Sequence, residues 1–230
     1  MMDIKVNTQD LFSLLSYAKI YTDEATLRIG NGKAEILEVD GTHTQMINGS
    51  IACDSDACEI PINLEKTIKA ISAVGKDAVL SIDEDALTVQ GAHSKIKIPL
   101  MVREANFKWP PKFDGEAKAY CEIPPSLLAP MLSYGEYTSS GKAAFIIGDT
   151  KMRIEIGEVP DISELESPNT AVGDCKVTID LTYLNTLIKN IKGVPSVTVC
   201  GYADNNPLLF KWADGTGEFR VLIAPRIEDE

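Results

Sequence analysis

One pattern limits the possible folds of this chain more than any other. Four times it runs through a short strand, a helical stretch and then further strands. The first unit reads Asp3 to Val6, a helix over Thr8 to Lys19, then Thr26 to Ile29 and Ala34 to Val39. The second reads Cys58 to Ile62, a helix over Asn63 to Val74, then Ala78 to Ile82, Ala86 to Gln90 and Lys95 to Leu100. The third reads Lys118 to Ile123, a helix over Pro125 to Tyr134, then Ala143 to Ile147 and Lys151 to Ile156. The fourth reads Lys176 to Asp180, a helix over Leu181 to Ile191, then Ser196 to Cys200, Leu208 to Trp212 and Glu218 to Ile223. Lys95-Ile96-Lys97-Ile98 and Lys151-Met152-Arg153-Ile154-Glu155-Ile156 alternate charged and apolar residues. Such strands pack one face and wet the other, as antiparallel sheets do. The expected class is α+β, with helices on one face of antiparallel sheets.

The helix ends have physical reasons. Thr8 and Asn63 are predicted to cap the first two helices by accepting hydrogen bonds from free amides. Leu11, Leu14, Leu15 and Ala18 form an apolar stripe on the first helix; Leu64, Ile68 and Ile71 do so on the second, and Tyr183, Leu184, Leu187, Ile188 and Ile191 on the fourth. Pro125 suits a first turn, whereas Pro130 should bend or shorten the third helix. Gly75 and Gly193 are expected to end the second and fourth. Met101 to Glu116 lacks a period and carries Pro110, Pro111 and Gly115, so it reads as a linker. The expected layout is an N-terminal domain over 1–100, a connector over 101–116 and a C-terminal domain over 117–230.

The chemistry-bearing motifs are few. There is no Gly-rich phosphate loop, no HExxH and no defensible Ser/His/Asp order, so no enzyme and no cofactor is expected. Asp83, Glu84 and Asp85 fall where a hairpin turn should be, and Asp161, Glu164 and Glu166 in a Ser/Pro-rich loop. Cys53 and Cys58, with Asp54 and Asp56 between them, invite a metal-loop reading, but no spacing supplies the partners. The five cysteines read as plain thiols. No stretch approaches 18 apolar residues, and MMDIKVNTQD is not a secretory leader, so no membrane and an intracellular location are expected.

Charge adds the next constraint. The formal net charge is -12, which rules out a uniformly basic surface but not a local one. Lys66 and Lys69 project from the second helix opposite its apolar stripe, with Lys76 just beyond it. Lys189 and Lys192 lie on and just after the fourth helix, and Lys19 ends the first. Basic helix faces on an acidic body are a candidate surface for phosphate backbones, read without regard to sequence; lysine is also an ordinary exposed helix former.

The C-terminal run from Phe219 to Glu230, FRVLIAPRIEDE, closely resembles the end of PCNA, the ring-shaped DNA sliding clamp of eukaryotes and archaea. Ala203 to Leu209 is similar to the clamp segment before its last hairpin. Leu37 to His43 resembles the stretch in which an Asp and a His flank two small residues, and Leu181-Thr182-Tyr183-Leu184 a clamp helix with an early Tyr-Leu pair. Three departures are visible: the chain is short for this family, with a trimmed connector and loops; Pro125 to Tyr134 carries no Lys or Arg, where clamps commonly place basic residues; and the N-terminus lacks part of the usual opening pattern.

The resemblance implies a DNA clamp fold and a processivity factor. Such a protein encircles duplex DNA and tethers polymerase, clamp loader, flap endonuclease and ligase. It would be cytoplasmic if archaeal and nuclear if eukaryotic. Lys19, Lys66, Lys69, Lys76, Lys189 and Lys192 would face the DNA. Three subunits would close head to tail by pairing Lys95 to Leu100 with Lys151 to Ile156 of a neighbour. Lys95, Ile96, Lys97, Ile98, Lys151, Arg153, Ile154 and Ile156 would carry that interface. Partner peptides with a hydrophobic helical turn would be taken by Val39, His43, Met46, Pro207, Ala224, Pro225 and Ile227, with Phe107, Trp109 or Phe113 from the connector. The alternative is a clamp-like adaptor or accessory subunit that binds proteins and never encircles DNA.

Overall fold

A computed structural model of the chain describes residues 2–75, 77–102, 107–158 and 160–226. The chain divides into two units: Met1–Lys108 with Gly215–Phe219, and Trp109–Asp214 with Arg220–Glu230. The division falls inside the connector, and the start of the last strand goes with the first unit.

The first unit begins with β1 (Met2–Ile4), α1 (Thr8–Lys19), β2 (Glu24–Gly30), β3 (Lys33–Val39), β4 (Gln45–Ala52) and β5 (Cys58–Asn63). It continues through α2 (Leu64–Val74), β6 (Val79–Ile82), β7 (Ala86–Gln90) and β8 (Lys95–Pro99). Its strands form the antiparallel orders β5-β2-β3-β4 and β1-β6-β7-β8. The second unit holds β9 (Ala119–Ile123), α3 (Pro125–Leu128), α4 (Met131–Tyr137), β10 (Lys142–Ile147), β11 (Met152–Glu158) and β12 (Asp161–Glu166). Then follow β13 (Ala171–Val172), β14 (Cys175–Asp180), α5 (Leu181–Asn190), β15 (Val197–Gly201) and β16 (Leu208–Ala213). Its sheets run β13-β9-β15-β16 and β12-β11-β10-β14. The last strand, β17 (Gly217–Ile223), is shared by the division between the units. The α+β class read from the alternating strands is the class of the structure.

The helices dock by their apolar stripes. Leu14, Leu15 and Ala18 of α1 are fully buried and Leu11 nearly so, each leucine contributing about 1.5–3 kcal/mol by leaving water. Asn63 caps α2 by accepting from the Lys66 amide at 3.0 Å, and Gly75 ends it at φ 102. Three local expectations change. Asn7, not Thr8, caps α1: its Oδ1 accepts from the amides of Gln9 (2.8 Å) and Asp10 (3.1 Å), while the Thr8 hydroxyl donates to the Ala78 carbonyl (2.9 Å). Pro130 does more than bend the third helix; lacking an amide hydrogen, it splits it into α3 and α4, and the second piece runs on to Tyr137. Asp161, Glu164 and Glu166 lie on a strand, β12, paired along β11, and not in a loop.

Strand β4 went unread because Asn48 and Gly49 interrupt its alternation, and packing explains both. The Asn48 amide donates to the Glu35 carboxylate (2.5 Å) and the Ile36 carbonyl (3.3 Å) across the sheet. A Cβ on Gly49 would lie 2.8 Å from Leu14 Cδ1, 3.0 Å from Phe219 Cδ1 and 3.1 Å from Tyr17 Cδ1, so the glycine lets α1 lie close on β4. Gly49→Ala should therefore destabilise the first unit by about 1–3 kcal/mol through overpacking. Gly41→Ala, which meets nothing within 4 Å, should stay within about 0.5 kcal/mol. Urea midpoints of the two variants check this, and equal midpoints would refute the close-packing account.

Candidate DNA-facing helices, sheet edges and partner surfaces

The helices present less free positive charge than the lysine positions suggest. Lys69 forms an ion pair with Glu65, and Lys19 with Asp23, each one turn away. The Lys69 hydrogen bond draws the Glu65 carboxyl below its ordinary range, and the Asp23 bond holds the Lys19 ammonium above its own. Each pair places opposite charges side by side, and they cancel locally. Asp23, Glu65 and Lys69 are exposed and Lys19 is half-buried, so the two pairs add little to stability. Lys66, Lys189 and Lys192 are exposed and form no ion pair among the described residues. Lys76 lies outside the described residues. On α3 and α4 the exposed side chains are Ser126, Ser133, Glu136 and Tyr137, with no cation. In the first unit α1 packs beside α2, and in the second α3 and α4 pack on α5.

The sheet edges revise the proposed interface. Among the described residues of the first unit, β8 is a terminal strand, with β7 on one side only. Lys95 and Lys97 are exposed on it, Ile96 is half-buried, and Ile98 turns into the core. In the second unit β11 is not terminal: β10 pairs with it on one side and β12 on the other. Its amides and carbonyls are already used, so Lys151, Arg153, Ile154 and Ile156 cannot supply a pairing edge. Ile154 and Ile156 are fully buried in their own unit. Arg153 reaches Glu155 at 2.7 Å, and Lys151 pairs with Glu166 of β12.

The terminal strand is β12, which exposes Asp161, Ile162, Glu164 and Glu166. At the other end of that sheet β14 is already covered. Its Lys176 amide donates to Asp204 (2.9 Å), the Lys176 carbonyl accepts from Asn205 (3.2 Å), and the Thr178 carbonyl accepts from the Arg226 amide (2.8 Å). The described chain thus carries a lysine-bearing edge on β8 and an acidic edge on β12. Sequence reasoning missed β12 because its inward positions are Ser163 and Leu165 while Ile162 points out, the reverse of the usual polarity. The turn signal was present: Gly157, at φ 108, and Pro160 mark a hairpin.

The partner-site residues occupy defined places within each unit. In the first, Val39 and Met46 sit opposite each other on β3 and β4, both half-buried. Asp40 ties the turn between them, accepting from the amides of Thr44 (2.8 Å) and Gln45 (2.9 Å). Exposed His43 sits at φ 58 in that turn. In the second unit Pro207 precedes β16, and Ala224 and Pro225 follow β17, all half-buried. Ile227 lies outside the described residues.

Of the three connector aromatics, only Phe107 remains half-exposed. Trp109 and Phe113 are buried anchors, 9% and 1% exposed. The Arg220 guanidinium lies 3.8 Å from the Trp109 ring centroid and bonds Asp114 at 2.6 Å. Phe113 meets Tyr202 edge-on at 5.0 Å, and the Tyr202 hydroxyl donates to the Phe113 carbonyl at 2.9 Å. Burial raises the Tyr202 pKa and keeps that donor protonated.

No group of His, Cys, Asp and Glu among the described residues could hold a metal ion. Burial pushes the thiols of Cys58, Cys121, Cys175 and Cys200 upward, away from nucleophilic character. Among the described residues no helix is long and apolar enough to cross a membrane.

No family model and no curated protein matches the sequence. Solved structures do match. A. fulgidus PCNA, solved with the C-terminal region of FEN-1, superposes at a TM-score of 0.80 with 16% identity over 100% of both chains. The PCNA of Entamoeba histolytica gives 0.79 at 12% identity, covering 98% of this chain and 99% of that one. The PCNA of Thermococcus kodakaraensis gives 0.76 at 15%, with the same coverage. At such identities the likeness is one of architecture, and this chain has the two-unit fold of the PCNA-type DNA clamps.

Proposed function

We propose that the protein is a DNA sliding clamp, a non-enzymatic ring that encircles duplex DNA and tethers replication and repair enzymes. The observation that carries this reading is the pair of terminal strands of opposite charge on one chain. Lys95 and Lys97 line β8; Asp161, Glu164 and Glu166 line β12. An edge strand is a template for pairing. When its complement lies on another copy of the same chain, the contact is heterologous, and it closes into a ring if the rotation permits. The clamp fold supports closure at three subunits. This pairing replaces the one first expected on β11, whose edges are taken.

Lys66, Lys189 and Lys192 would carry the contact with DNA, with Lys19 and Lys69 weakened by their acid partners. Few free cations on an acidic body suit a weak, sequence-independent contact that permits sliding. Partner enzymes would bind through short peptides, as the C-terminal region of FEN-1 binds A. fulgidus PCNA. Val39, His43 and Met46 in the first unit, and Pro207, Ala224, Pro225 and Ile227 in the second, are the residues assigned to that role. Polymerase, clamp loader, flap endonuclease and ligase are the partner classes. The absence of Lys and Arg from α3 and α4 favours a second reading, an adaptor that never encircles DNA.

Topological retention separates the two. Loaded onto nicked circular DNA, a clamp should survive a salt wash and be released when the circle is cut. An adaptor would leave in the wash from either substrate. Replacing Lys66, Lys189 and Lys192 with Glu should weaken DNA association and reduce its log–log salt slope by up to about 3, at roughly 0.9 per phosphate contact. Unchanged association would remove these lysines from the DNA face. A peptide with a Gln, a spaced aliphatic residue and two adjacent aromatics should bind with roughly micromolar affinity by calorimetry, since short peptides bury little area and must order on binding. No heat at hundreds of micromolar peptide would remove the tethering role.

A further inference from the structure

We infer that Arg220 is a positioning residue, a latch that holds the second half of the connector on the second unit in the form partner peptides meet; this rests on the partner-site reading above. Arg220 sits on β17, and its side chain is 25% exposed. It makes two connector contacts of different kinds. Its flat guanidinium stacks on Trp109 at 3.8 Å from the ring centroid, and its Nη1 bonds the Asp114 carboxylate at 2.6 Å. Trp109 and Asp114 bracket the short 3-10 turn Pro111–Phe113, so one side chain grips that turn from both ends. A planar, permanently charged fork can stack and pair at once, and a lysine cannot.

The grip is reinforced between these ends. Lys112 lies 4.7 Å from the Phe113 ring centroid and reaches Asn206 Oδ1 at 3.4 Å, while Tyr202 donates to the Phe113 carbonyl at 2.9 Å. The segment has few regular backbone hydrogen bonds of its own: Phe113 and Asp114 donate back to Pro110 and Pro111, and the prolines cannot donate. Side chains, and Arg220 foremost, therefore set its position. A connector held in place spares a docking peptide the cost of ordering it. The same few residues also join the connector to β17, the strand that leads directly to Ala224 and Pro225.

The test compares wild type, Arg220→Ala, Arg220→Lys and Asp114→Asn. Limited trypsin digestion reads cleavage after Lys108 and Lys112, and calorimetry with the aromatic peptide reads affinity. Circular dichroism confirms that each variant is folded. Arg220→Ala should speed connector cleavage and weaken peptide binding, each by about tenfold, the scale of one lost stack plus one lost ion pair. Arg220→Lys and Asp114→Asn should fall between it and wild type. If Arg220→Ala does not fold, Asp114→Asn decides, because its carboxylate is 55% exposed and removing its charge leaves the core intact. Wild-type cleavage rates in the folded variants would overturn the latch. Faster cleavage with unchanged peptide affinity would overturn its role in positioning. If wild type itself binds no peptide, the partner reading falls and that role with it, while digestion still shows whether Arg220 holds the connector.

Discussion

An antiparallel sheet that simply ends leaves a row of backbone amides and carbonyls without partners, and the architecture of this chain turns on where that happens. In the second unit one end of the sheet β12-β11-β10-β14 is closed from within. Asp204, Asn205 and Arg226 take up the polar groups of β14. Among the described residues nothing pairs with the free side of the other end, β12, or of β8 in the first unit. Proteins usually blunt such edges with charge. Here the charges are of opposite sign on the two strands, which deters pairing of like with like and favours β8 of one copy against β12 of the next. The ring proposed above follows from this asymmetry and not from the helices.

The helices contribute by being short, amphipathic and similar in placement. Each unit has a helical stretch after its first strand and another midway, so each presents two helical segments beside one another. The outward faces are polar but sparsely cationic, because Glu65 and Asp23 neutralise two of the lysines. With a net charge of -12 over the chain, DNA would be repelled from most of the surface. On the proposed reading, a surface of this kind would guide DNA without gripping it.

Legibility in the sequence followed the physics of each element. Helix α1 and strand β7 match their expected bounds residue for residue, and α2 and α5 differ by one residue at an end. A 3.6-residue apolar stripe and strict alternation are strong local signals. Strands β4 and β12 are not legible, because Asn48 and Gly49 interrupt the alternation of β4 and Ser163 takes an inward position on β12, which tertiary packing tolerates and periodicity cannot detect. The clamp resemblance, carried over by layout, puts the edge on the well-patterned β11, but good patterning marks a buried, doubly paired strand as readily as a terminal one. The clamp resemblance offers Trp109 and Phe113 as partner contacts; Arg220 and Tyr202, more than a hundred and nearly ninety residues away, occupy them. Contacts at that sequence separation leave no local pattern.

The mass of the protein in solution tests the central claim most directly. Light scattering at micromolar concentration should give about 75 kDa, three chains of 25.0 kDa. Reversing Lys95 and Lys97 to Glu should shift that mass toward a single chain without loss of fold, since both side chains are exposed. A wild-type mass of 25.0 kDa across the whole concentration range would contradict the account, as would a trimer that is indifferent to those reversals.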